Sequence, residues 1–210
     1  MLIPLEQLQK DYSLKIDSVL HIGAHECEEL DAYSQVGVKS DSVIWLEANS
    51  KIVDKNVSRG IPNVYHAVVS DCVENVELHI TNNMQSSSIL PLEEHKREHP
   101  RVVVIETQAV TTTTIQELFQ KTDIFKGLAR FPNFVNLDIQ GAELKALKGF
   151  GDLLDKVDYI YTEVNTKYLY TNCALLDEMD DFLRLKGFER VVIKMTRHGW
   201  GDAFYVRKSV

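Results

Sequence analysis

Three oxygen-bearing side chains in the second half of the chain stand where they could do chemistry together. Asp138 ends the apolar run Phe134–Leu137 in VNLDIQGAELKALKGF. Glu163 and Asn165 follow the run Tyr159–Thr162 in YIYTEVNTKYLY. Short apolar runs of this kind read as buried strands, and ligands of open α/β sheets bind beyond the carboxyl ends of such strands. If the two strands are neighbours, Asp138, Glu163 and Asn165 converge on one spot. One carboxylate could then act as a general base. Alternatively, the three hard oxygens suit Mg²⁺, which would hold and acidify a substrate hydroxyl. Glu143 lies in the first turn of the helix that Gly141 opens, where complementing the helix dipole is its plainer role. In RHGWGDAFY, His198 and Trp200 stand where a polar, sugar-like molecule could stack and hydrogen-bond, with ordinary turn chemistry at Gly199 and Gly201 as the alternative.

The first half carries a second set. In VLHIGAHECEE a strand runs into Gly23, and Ala24, His25 and Glu26 lead toward a helix. Free backbone N–H groups at a helix start can hold a carboxylate or a phosphate. Gly23 is the loop's one glycine, so the G-x-G-x-x-G of dinucleotide binders is missing and a nicotinamide reading is weakened. In VIWLEAN, Glu47 ends the next strand, with Ala48 behind it. A carboxylate there can accept hydrogen bonds from both hydroxyls of a ribose. NAD and S-adenosylmethionine both carry that ribose, so the signal is shared. In AVVSD, Ser70 or Asp71 could accept from an adenine amino group, or simply form a turn.

These residues need a scaffold that brings strand ends together. Asp17–Ile22, Val43–Leu46, Val64–Val69, Phe134–Leu137 and Tyr159–Thr162 read as buried strands, with further strand-like stretches at Val76–Ile80 and Arg101–Val110. Helices are expected at Glu26–Val36, at Ser50–Ser58 with Ile52, Val53 and Val57 on one face, at Gly141–Phe150 and at Ala174–Lys186. Thr114 followed by Glu117 is a capping-box signature that opens another. The alternation implies a parallel sheet with right-handed crossovers. Phe188–Lys194 and Ala203–Val206 are joined by a link too short for a parallel crossover, so they should form an antiparallel hairpin. A mostly parallel sheet finished by such a hairpin, with helices on both faces, is the architecture of class I methyltransferases. Residues 1–16 form a helical extension in this reading, and residues 81–100 a lid or flexible insert.

Composition sets the outer limits. The 210 residues fit one domain, and 44% hydrophobic with 26% charged residues is ordinary for a globular protein. No apolar run approaches the ~20 residues of a membrane span. A formal charge of −8 argues against a broad nucleic-acid-binding face. Cys27, Cys72 and Cys173 match neither a metal spacing nor a disulfide framework, so a reducing, cytoplasmic setting is expected.

Together HIGAHECEE, WLEAN, AVVSD, LDIQGAELKALKGF and TEVNTKYLY, followed by GFERV, resemble the FkbM family of S-adenosylmethionine-dependent methyltransferases, in the family's order and over roughly residues 17–206. The resemblance implies that Gly23, Ala24, His25 and Glu26 line the methionine end of the cofactor. It implies Glu47 at the ribose, Ser70 or Asp71 near adenine, and Asp138 beside the methyl-transfer centre. It also implies a small-molecule or glycan acceptor methylated on oxygen. Two residues depart from the family pattern. Cys27 stands where a second glycine is common, and Ser50 where a proline is common and could cap the following helix. Two rivals are a nicotinamide-dependent oxidoreductase and a catalytically inactive binding module on the same fold.

Overall fold

The computed structural model describes residues 1–208. In chain order its strands are β1 (Val19–Ile22), β2 (Val43–Glu47), β3 (Val64–His66), β4 (Asn75–Thr81), β5 (Val104–Thr111), β6 (Phe134–Leu137), β7 (Tyr159–Asn165), β8 (Phe188–Met195) and β9 (Trp200–Arg207). The α-helices are α1 (Leu5–Tyr12), α2 (Leu30–Gln35), α3 (Ser50–Ser58), α4 (His95–Glu98), α5 (Ile115–Lys121), α6 (Glu143–Lys148) and α7 (Leu176–Leu185).

Seven strands form one sheet in the order β3-β2-β1-β6-β7-β9-β8. β1 pairs in parallel with β2 on one side and β6 on the other, and β6 pairs in parallel with β7. β9 is antiparallel to both β7 and β8, the expected hairpin. The central strands β1 and β6 are buried along their whole length because both faces of the sheet are covered. Alternate residues feed two cores. Leu20, Ile22, Ile44, Leu46, Val135 and Leu137 pack on one face. Val19, Val43, Trp45, Phe134 and Phe204 pack on the other. The chain leaves β1 toward β2 and later returns to β6 on the opposite side, so a crevice opens beyond the carboxyl ends of β1 and β6.

Several expectations need correction. The helix expected from Glu26 begins at Leu30, because His25 (φ 39°) and Cys27 (φ 57°) adopt left-handed backbone that no helix continues through. β4 and β5 do not join the parallel sheet. They form a separate antiparallel ribbon, and β5 alternates exposed and half-buried residues, as a strand covered on one side does. α3 is capped by Asn49, not Ser50: its side chain accepts from the N–H of Lys51. Val57 faces solvent at 55% exposure, while Asn56 turns inward and donates to the carbonyl of His25. Thr114 does cap α5, accepting from the N–H of Glu117, but the Glu117 carboxylate bonds Lys121. β7 extends past Thr162, so Glu163 and Asn165 are strand residues.

The stretch between β4 and β5 is tied down along its length. Glu93 and His95 donate N–H groups to the carbonyl of Leu169, and Thr171 donates to that of Pro91. The helix α4 within it therefore lies against residues 167–171.

Candidate functional site

The crevice is a cleft of about 460 Å³. Gly23 makes its geometry possible. A Cβ at this position (φ 90°) would lie 1.9 Å from the carbonyl oxygen of Asp138, so only glycine lets the loop after β1 pass this close to the end of β6. The N–H groups of Gly23 and Ala24 bond the carbonyl of Leu46, at 2.9 and 3.0 Å, which draws the end of β2 to the same place.

Glu47 fastens the two loops together. One carboxylate oxygen accepts from the N–H of His25 and the other from the N–H of Asn49, both at 2.8 Å. Burial raises its pKa, and those N–H bonds oppose the rise. Gly23, Ala24, His25, Glu47 and Ala48 all line the cleft, and Ala67, Val68 and Val69 extend the wall as an apolar strip.

On the other side Asp138 and Glu163 are joined through one amide. The Nε2 of Gln140 donates to Asp138 Oδ1 at 2.6 Å and to Glu163 Oε2 at 2.9 Å. Its Oε1 accepts from the Tyr170 hydroxyl at 2.6 Å. Gln140 has φ 57°, and the loop holding it is organised by Glu143, whose buried carboxylate accepts from the N–H groups of Ile139 and Gly141. Burial pushes Glu143 up to about 7, with Asp138 adding to the rise. Glu143 thus organises the turn, beyond complementing a helix dipole.

The Asp138 side chain is open to solvent at the cleft, yet the surrounding walls hold its pKa up at about 6, with the charges of Asp202 and Glu29 adding to the effect. Glu163 is 8% exposed, and burial followed by the neighbouring carboxylates Asp138, Glu143 and Asp202 raises it well above the usual range. Asp202 faces Glu163 directly in the β7–β9 register and also lines the cleft. It accepts from the N–H of Leu2 and from the Tyr161 hydroxyl.

Other expected site residues lie elsewhere. Glu26 pairs with Lys55 at 2.6 Å and stands outside the cleft lining, because α3 brings cations to it. Ser70 is fully buried beneath Gly149 and donates to Asp71, so both miss the cleft, whose wall at this strand end is Ala67–Val69. His198 pairs with Glu98 at 3.0 Å and packs its ring, tilted, 4.8 Å from that of His99, linking the hairpin turn to α4 instead of entering the cleft, whereas Trp200 does line it. Asn165 is buried outside the lining, so the Asp138–Glu163–Asn165 set for Mg²⁺ does not assemble there. Among the described residues, the His, Cys, Asp and Glu side chains grouped closely enough for an ion are Asp71, Cys72 and Glu74, all exposed and away from the cleft. Conversely, Gln140, Tyr170, Asp202 and His95 belong to the cleft without having been singled out.

The sheet order, the terminal hairpin and the cleft at the β1/β6 switch define a class I methyltransferase fold. The chain belongs to the FkbM methyltransferase family: the Methyltransferase FkbM domain model matches residues 21–190. A comparison with curated proteins found no match. Among solved structures, magnesium protoporphyrin IX methyltransferase from Synechocystis PCC 6803, with bound S-adenosylmethionine, is similar at 13% identity and TM-score 0.50, covering 97% of this chain and 76% of that one. A protein of the NADB-Rossmann superfamily from Streptococcus agalactiae is similar at 14% identity and TM-score 0.50, covering 100% and 70%. At these identities the likeness is one of fold. Three cysteines, Cys27, Cys72 and Cys173, are free, and no helix among the described residues is long and apolar enough to cross a membrane.

Proposed function

We propose that the chain transfers the methyl group of S-adenosylmethionine to a hydroxyl of a small molecule, of sugar or related chemistry. The observation that carries this reading is the Glu47 carboxylate, fixed by the N–H groups of His25 and Asn49 at the wall of a cleft that also holds Asp138. The residues fit the cofactor. Glu47 keeps lone pairs for a ribose, the strip Ala67–Val69 offers an apolar wall to an adenine, and Gly23 lets the first loop pass close against the end of β6, beside Asp138.

Bound S-adenosylmethionine supplies an activated methyl group. The protein's task is then to align an acceptor oxygen roughly 3 Å from the methyl carbon and take its proton. Asp138, ionised above about pH 6, is the proton acceptor. Glu163, whose ionisation is disfavoured by burial and then by its acidic neighbours, stands beside Asp138 at the acceptor's side of the cleft. Gln140 holds both carboxyl groups in one orientation, and Tyr170 holds Gln140. Residues 81–100 form a cover over the cleft, since Asn83–Ile89, His95 and His99 contribute to its lining.

The test is a screen with methyl-labelled S-adenosylmethionine against sugars, small phenols, peptides and RNA. Label on hydroxyl-bearing small molecules is expected; label confined to peptide or RNA would refute the sugar-like acceptor.

A further inference from the structure

Three histidine rings form a row between the cover of the cleft and the β8–β9 turn. His95 opens α4 and His99 follows it; their ring centroids are 4.8 Å apart, and His99 lies 4.8 Å from His198 of the turn. His95 and His99 also line the cleft, with His95 only 5% exposed.

The polar groups around the row are already engaged. Glu98 pairs with Lys167 at 2.7 Å and with His198 Nδ1 at 3.0 Å. Arg197 donates its Nε–H to His198 Nε2 at 3.1 Å. His95 packs 5.4 Å from the Tyr170 ring, and its Nδ1 has no hydrogen-bond partner. A proton added to this buried ring finds no acceptor there, and two adjacent rings that both took one would set like charges side by side. The other ties on α4 do not share this sensitivity. Glu93 and His95 donate N–H groups to the carbonyl of Leu169, and Glu94 donates to that of Tyr168. Glu98, held down to about 2 by Lys167 and then His198, stays ionised.

We propose that the row is an acid-operated latch: while neutral, the rings pack and hold α4 over the cleft, and when protonated they part and release it, opening the cleft to ligand exchange. Burial, with His99 adding to it, lowers His95 to about 4 in the closed form. A solvated imidazole titrates near about 6.5. Between those values the open form binds a proton that the closed form refuses, so acid favours opening. His99 works in the same direction, lowered by burial and then by His198 against the opposing pull of Glu98. His95 alone makes opening about tenfold more favourable at about pH 5.5 than at about pH 7.5. Asp138, Glu143 and Glu163 have the opposite linkage, because their raised pKa values make protons stabilise the folded chain. Acid should therefore loosen α4 without loosening the sheet.

The latch does not depend on what the cleft binds, and its test uses no cofactor, so its failure leaves the methyltransferase reading standing. Amide exchange of the wild-type chain is measured at about pH 7.5 and about pH 5.5, each rate divided by the intrinsic chemical rate at that pH. Protection across residues 92–99 should fall by about tenfold on acidification while β1 and β6 keep theirs. Protection of residues 92–99 that does not fall overturns the latch, as does an equal loss in the two strands. His95→Leu should remove most of the loss and His99→Gln part of it; a loss undiminished in both variants overturns the assignment. The wild-type chain supplies a check that needs no variant. The ring resonances of His95 should titrate below the ordinary histidine range, and a midpoint at or above about 6.5 contradicts the latch.

Discussion

Asp138 and Gly23 meet at the centre of the site, and each makes a separate demand on the other. The carbonyl of Asp138 occupies the space a Cβ on Gly23 would need. Gly23→Ala should therefore lower stability by roughly 1–3 kcal/mol, since it adds a backbone clash to an unfavourable φ; a denaturant midpoint equal to wild type would show that the loop can move aside. The Asp138 side chain carries the chemistry. With its pKa near 6, kcat/KM should rise through about pH 6 and then level off, because only the ionised form accepts a proton. Asp138→Asn should flatten that limb and lower kcat by about 10²–10⁴-fold. An unchanged pH profile in the variant would move the base elsewhere. At this scale the sequence reveals strand-end residues but not their partners. Asp138, Glu163, Gly23 and Glu47 are legible because each ends or follows an apolar run and reaches the cleft. Gln140 is not, because its role arises from a left-handed backbone that aims its amide between two carboxylates. Asp202 becomes part of the site only through its register with Glu163 on another strand. His198 and Ser70 mislead because their neighbours, Glu98 and Gly149, come from distant segments.

Elements hold these residues in place, and the turn from β6 into α6 does so with a buried carboxylate. Glu143 lies buried there with its carboxylate on the N–H groups of Ile139 and Gly141. Its pKa stands near 7 against an ordinary 4.5, so between those values the folded state binds a proton that the unfolded chain has released. Stability should consequently fall as pH rises from about 4.5 to about 7. Glu143→Gln keeps an acceptor oxygen and should weaken that slope in urea titrations at several pH values. A slope equal to wild type would mean Glu143 is ionised throughout. The segment between β4 and β5 makes a dynamic prediction instead. It contributes to the cleft wall and is pinned to residues 167–171 by backbone hydrogen bonds. Adding S-adenosylhomocysteine should slow amide exchange across residues 82–99, and unchanged exchange would rule out a covering role. The parallel strands were legible as elements because burial on both faces makes them continuous apolar runs. The β4–β5 ribbon was legible as strands but not as a separate sheet, since pairing is a long-range property.

In the whole molecule, an antiparallel hairpin completes a parallel sheet and sets Asp202 and Trp200 opposite the ends of the parallel strands. The cleft is thereby enclosed by the first loop, the strand-end acids, the hairpin and the segment over them. Its lining carries six carboxylate side chains, Glu28, Glu29, Glu47, Asp138, Glu163 and Asp202, within a chain of net charge −8. The most direct test of the account is calorimetric titration with S-adenosylhomocysteine, with NAD as control and Glu47→Ala beside the wild type. The account predicts micromolar or tighter binding of S-adenosylhomocysteine, none of NAD, and loss of about tenfold or more in affinity in the variant, as removal of a hydrogen bond to a charged group implies. Binding of NAD instead, or no binding of S-adenosylhomocysteine at all, would contradict it.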